Sequence, residues 1–173
     1  MKKIILTILC CALCLCFCAC AAAGATLPLP ESTPFEVPVR LVFEGGSRDY
    51  TLVVQSETCA LLESGDGFTY YYSPDVCTIS TGGMTLPIRR EFLPDRGLLL
   101  TAFARVQDEE LLQDTRKDEN GGVRRILTRV REEGNFIYEL DESGALARID
   151  VEGQTPFVCL LLGEIKRIKE TTE

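Results

Sequence analysis

Nine cysteines and twenty-six carboxylates are the residues of this 173-residue chain best suited to chemistry, and there is no histidine to work with them. Without imidazole the chain has no Ser-His-Asp or Cys-His pair and no histidine ligand for a metal. Paired acids could cleave a glycosidic bond by flanking it at a set separation. Asp108-Glu109-Glu110 and Asp118-Glu119 supply acids, but no aromatic platform for a sugar accompanies them, so a solvated charged loop is the default. Asp114–Asn120 lacks the ligand spacing of a calcium loop. Gly45-Gly46, Gly82-Gly83 and Gly121-Gly122 fall at strand ends, where turn geometry accounts for them. The expectation is a protein that is not an enzyme and uses no metal or cofactor. A formal net charge of −8 also argues against nucleic acid, whose phosphates need Lys and Arg to neutralise them. Arg124, Arg125, Arg129, Arg148, Lys166, Arg167 and Lys169 could meet anionic lipid headgroups. Glu132, Glu133 and Glu164 interleave with them, so a mixed solvent face is the default.

Six of the cysteines (Cys10, Cys11, Cys14, Cys16, Cys18 and Cys20) crowd the first twenty residues, and their setting is an address. Lys2-Lys3 is a basic head and Ile4 to Phe17 an uncharged apolar run, the pattern of an export signal. The run is short of the ~20 residues a permanent membrane helix needs. Phe17-Cys18-Ala19-Cys20 resembles the lipobox of bacterial lipoproteins, in which the closing cysteine is acylated and becomes the mature N-terminus. Cys20 alone of the six has a small residue before it at the end of the full run. The resemblance implies a signal peptide over residues 1–19 and lipidation at Cys20. It also implies a place on the extracytoplasmic side of a bacterial cell membrane. A plain secretory signal cut within Ala21–Gly24 is the alternative. Residues 20–34 are rich in Ala and Pro and read as a tether, with Pro28, Pro30 and Pro34 favouring extended geometry.

The elements beyond Pro34 alternate with a period of two. Phe35, Val37, Val39, Leu41 and Phe43 mark a first strand, and Pro38, which cannot donate to a ladder, predicts that it lies at a sheet edge. Glu44–Ser47 turns the chain into a strand carrying Tyr50, Leu52 and Val54. Further strands are predicted at Thr58–Leu62, Phe68–Tyr72, Val76–Ser80 and Met84–Ile88. A helix over Pro94–Val106, started by Pro94-Asp95, presents Leu98, Leu99, Ala102, Phe103 and Val106 at helical spacing. Gln107–Gly122 reads as loop with room for one short strand. Strands resume at Val123–Val130, where Ile126, Thr128 and Val130 share a face, and continue at Asn135–Leu140 and Leu146–Val151. Pro156–Leu162 is apolar on both faces, which predicts cover on both sides. Cys59, Cys77 and Cys159 each fall in an apolar strand and are expected to be small buried core residues. One disulfide among them is the alternative.

Nine or ten strands with one inserted helix predict an α+β, mainly β fold: an antiparallel meander curved into a half-barrel, with the helix against its concave side. This order resembles the LolA/LolB-like lipoprotein-carrier family over residues 35–168. The resemblance rests on Tyr72-Ser73-Pro74 leading into Val76–Ser80, on the helix after Leu86-Pro87-Ile88 and on Asn135–Val151; residues 169–173 form a short tail. It implies an apolar hollow that accepts acyl chains, lined here by Val37, Val39, Leu41, Tyr70, Tyr72, Phe103, Phe136, Tyr138 and Leu140. Two functions are expected. One is a lipid-anchored protein that binds a lipid or other apolar ligand. The other is an anchored structural or interaction module with a filled core and an envelope protein as its partner.

Overall fold

A computed structural model describes residues 26–30, 32–104, 111–117 and 121–168. The expected signal peptide, Cys20, Val106 and the acidic groups Asp108–Glu110 and Asp118–Glu119 lie outside the described residues. Among the described residues the chain forms one open, curved, mainly antiparallel sheet with one short α-helix. Its first half comprises β1 (Phe35–Phe43), β2 (Gly46–Val54), β3 (Ala60–Ser64), β4 (Thr69–Tyr72), β5 (Cys77–Thr81) and β6 (Met84–Pro87). A 3-10 turn at Arg90–Phe92 and helix α1 (Leu98–Phe103) follow. The second half comprises β7 (Leu112–Lys117), β8 (Val123–Arg131), β9 (Gly134–Leu140), β10 (Leu146–Glu152), β11 (Phe157–Leu161) and β12 (Lys166–Arg167).

The spatial order is β6-β5-β4-β3-β2-β1-β11-β10-β9-β8-β7, with β12 also paired to β1. The meander is therefore two meanders, joined where the first strand meets one of the last. This overturns the edge position expected for β1, which lies between β2 and β11. Pro38 is tolerated there because β1 changes partner beside it. Val39–Val42 pair with β11 and Phe35–Glu36 with β12, leaving Pro38 opposite the break. Its carbonyl accepts from Leu162 N–H at 2.9 Å, so its missing N–H faces the same break. Gly163 fits there because a Cβ on it would come within 3.1 Å of the Pro38 ring.

Several boundaries differ from the sequence expectation. β3 begins at Ala60 rather than Thr58, so Cys59 belongs to the preceding turn, where its carbonyl accepts from Gln55 and Ser56. The helix is six residues long because Arg96 and Gly97 take left-handed backbone (φ 53° and 74°), which a helix starting at Pro94 cannot contain. The middle of the expected loop at 107–122 is the edge strand β7. Leu27 and Leu29 of the expected tether pack against the core, so that end of the tether is docked on the domain rather than extended from it. Outward-facing Leu160 is half-buried between its strand neighbours Arg40 and Arg148, and Val158 sits between Val42 and Asp150. The arginine stems cover apolar surface while their heads pair with Asp49 and Asp150. Cross-strand neighbours thus supply the outer cover that β11 requires.

Candidate functional site

Alternation places one residue set on the concave face of every strand. Val37, Val39 and Leu41 from β1, Tyr72 from β4, and Phe136, Tyr138 and Leu140 from β9 are fully buried there. Leu52, Leu62, Ile149 and Cys159 complete the same layer. Of the nine residues expected to line a hollow, these seven and Phe103 belong to a single hydrophobic core. Tyr70 is half-buried at its margin, edge-on to Tyr50 at 6.3 Å between ring centroids. Helix α1 contributes Leu99, Ala102 and Phe103 to that core, with Phe103 against the Phe35 ring at 5.9 Å.

A six-residue helix is too short to persist through its own hydrogen bonds. Two buried polar clusters hold this one, one at each end. Before its N-terminus, Asp95 is completely buried and accepts three hydrogen bonds. Gly97 N–H donates to Oδ1 at 3.1 Å, while Leu99 N–H and the Tyr72 hydroxyl each donate to Oδ2 at 3.0 Å. Burial pushes the Asp95 carboxyl above its usual range even though all three donors pull it down. Burial, with the neighbouring Asp95 charge, pushes the Tyr72 phenol well up. Beyond the C-terminus, Arg129 is 1% exposed and donates to Thr101 O at 2.9 Å and Ala104 O at 3.1 Å. It also donates to the Tyr138 hydroxyl at 3.4 Å, which in turn donates to Ala102 O at 2.7 Å. The carboxyl before the helix accepts from its first free N–H groups and the guanidinium beyond it donates to its last carbonyls, the groups a helix leaves unpaired. No buried side-chain nitrogen or oxygen among the described residues lacks a partner.

Arg129 thus departs from the solvated basic face expected of it, and Asp95, expected only as part of a helix start, is a fully buried acceptor. The spacing of β8 carried a signal for Arg129: Leu127 and Arg129 share the concave face, opposite Ile126, Thr128 and Val130. Tyr72 and Tyr138 lie on the face expected of them, but their hydroxyls fasten the helix.

A recess of about 280 Å³ lies at the edge of this core, lined by Pro30, Phe35, Val54, Leu100, Phe103 and Ala104 together with Ser32, Thr33 and Glu57. A broader one of about 740 Å³ beside Arg129 is bordered by Arg131, Glu132 and Glu133, a charged rim ill suited to an acyl chain. Among the described residues, no three Cys, Asp or Glu side chains are grouped so as to hold a metal, and no helix is long and apolar enough to cross a membrane.

The three cysteines among the described residues are free and differ in setting, a correction to the expectation that all are buried. Cys159 is fully buried, and burial pushes its thiol well up. Cys77 is half-buried in β5. Cys59 is half-buried in its turn, where the Tyr71 hydroxyl donates to Sγ at 3.6 Å and lowers the thiol's pKa. A thiolate is the reacting form, so alkylation of the native protein is expected first at Cys59 and last at Cys159. A mass-spectrometric time course checks the order, and early labelling of Cys159 would contradict the packing described.

Compared with known proteins, the chain matches no family model and no curated sequence. Fold and site together define an open half-barrel that carries its own helix in the concavity.

Proposed function

We propose that this chain is an exported, membrane-anchored interaction module, held by a lipid on Cys20, that works through its outer surface. One observation carries the choice over a lipid carrier: the concave face is occupied by α1, fixed at both ends by Asp95 and Arg129. An acyl chain would have to displace a helix held at both ends by these hydrogen bonds. The LolA/LolB-like resemblance enters this reading as architecture, an open curved sheet with a helix on its hollow side. The anchor rests on Phe17-Cys18-Ala19-Cys20 and the uncharged run before it. Two or more acyl chains there make attachment stable.

A second reading, reversible binding of an acyl chain, is favoured by the recess at Phe35 and Phe103, whose volume approaches the ~300 Å³ lower bound of ligand sites. Native mass spectrometry of the protein purified from membranes separates the two. The expected mass is that of the chain from Cys20 with its covalent acyl groups and nothing more. A displaceable co-purified lipid would transfer support to the second reading. A mature chain without acyl mass would overturn the anchor, as would a Cys20→Ala variant that is still processed and retained in the membrane fraction.

A further inference from the structure

An open sheet has two edges, and here they differ in kind. β6 is four residues long and ends in Pro87, which blunts it against further pairing. β7 is six residues long, Leu-Gln-Asp-Thr-Arg-Lys, with every side chain exposed. Among the described residues it pairs on one side only, with β8. Its register against β8 puts Asp114 opposite Ile126 and Arg116 opposite Arg124, so both charges stand on the outer face.

We propose that β7 is a self-association edge, and that its occupant is β7 of a second copy of this chain, antiparallel about a two-fold axis through Thr115. The charge pattern selects both partner and register. Residues directly opposite each other in a sheet carry their side chains on the same face. Centring the two-fold on Thr115 places Asp114 opposite Arg116 of the second copy and Arg116 opposite its Asp114. Gln113 and Lys117 face each other on the concave side. Moving the centre one residue either way brings Asp114 onto Asp114 or Arg116 onto Arg116. An edge protected by charge alone works with like charges; this one alternates sign at the spacing that makes it complementary to itself. In the single chain, Asp114 Oδ1 instead accepts from the Thr115 N–H at 2.7 Å. Exposed ion pairs add little affinity, so the backbone ladder supplies the attraction and the charges set the register. The inference rests on the sheet edge alone and stands apart from the reading of Cys20 and the helix.

Sedimentation velocity of the full-length protein in non-ionic detergent tests it. The parent is expected to dimerise at micromolar concentration. Asp114→Arg or Arg116→Asp alone sets like charges opposite each other twice and weakens the dimer by about tenfold or more. The double variant Asp114→Arg/Arg116→Asp restores it, and so does mixing the two single variants, whose edges complement one another. Thr115→Cys is expected to form a disulfide-linked dimer on oxidation, because the two Cα atoms face each other. Gln113→Cys, which faces Lys117, is not. Both substitutions are at exposed positions, and circular dichroism checks that the fold is kept. A monomeric parent overturns the proposal. So does a dimer indifferent to single charge reversal, or equal crosslinking at positions 113 and 115.

Discussion

Asp95→Ala is expected to lower the free energy of unfolding by about 4 kcal/mol, because it leaves three buried donors without an acceptor. The donors are the Tyr72 hydroxyl and the N–H groups of Gly97 and Leu99, each 3.0–3.1 Å from the carboxylate. Each orphaned donor costs about 1–3 kcal/mol, and water entering the space left by the carboxylate recovers part of the total. Tyr72→Phe removes one donor while Leu99 N–H still serves the same oxygen, so about 1 kcal/mol is expected for it. Denaturant midpoints at unchanged slope measure both. A loss below about 1 kcal/mol for Asp95→Ala would mean that the cluster does not hold the helix.

The pH dependence has a definite sign. Burial raises the Asp95 pKa in the folded state, so the folded chain holds this proton more tightly than the unfolded one. The contribution of Asp95 to stability is fully present below the ordinary carboxylate pKa and is lost as pH rises through the raised one. Asp95→Asn removes that slope. A parent and an Asp95→Asn variant with identical stability profiles through the acid range would contradict it.

At the other end, Arg129→Leu is expected to cost about 3 kcal/mol. The oxygens of Thr101 and Ala104 lose their donor in a half-buried place, and the Tyr138 hydroxyl loses a partner. Leu fills part of the volume, so the loss is chiefly of hydrogen bonds. Arg129→Lys keeps the charge but cannot span two carbonyls with a planar fork, and it should recover only part of the loss. Hydrogen exchange distinguishes local from global effects: protection at Thr101–Ala104 should fall further than protection in β1 or β9. Uniform loss across the sheet would show that Arg129 supports the whole core rather than the helix end.

Asp95 and Arg129 leave unequal traces in the sequence. Pro94-Asp95 marked a helix start, and Asp95 does serve the Gly97 and Leu99 amides. Nothing near it in the chain indicated that Tyr72 would reach it from 23 residues away. Arg129 read as one of several late basic residues, since the carbonyls it serves lie 25 and 28 residues earlier. A buried charge is set by its partners, and partners this distant leave no periodic trace.

What the sequence determined by itself is the local alternation. Side-chain direction in a strand depends only on position along that strand, so the concave set Val37, Val39, Leu41, Tyr72, Phe136, Tyr138 and Leu140 was legible, and with it the mainly β class. The turn glycines and the absence of any imidazole chemistry were equally local facts. The tertiary structure alone decided which strands meet. β1 joins β11 across more than a hundred residues, which moved Pro38 from an expected edge to the middle of the sheet, opposite the break between β11 and β12. It also decided that α1 lies against the concave face, because a six-residue helix has no stability of its own and exists where two distant buried groups hold its ends.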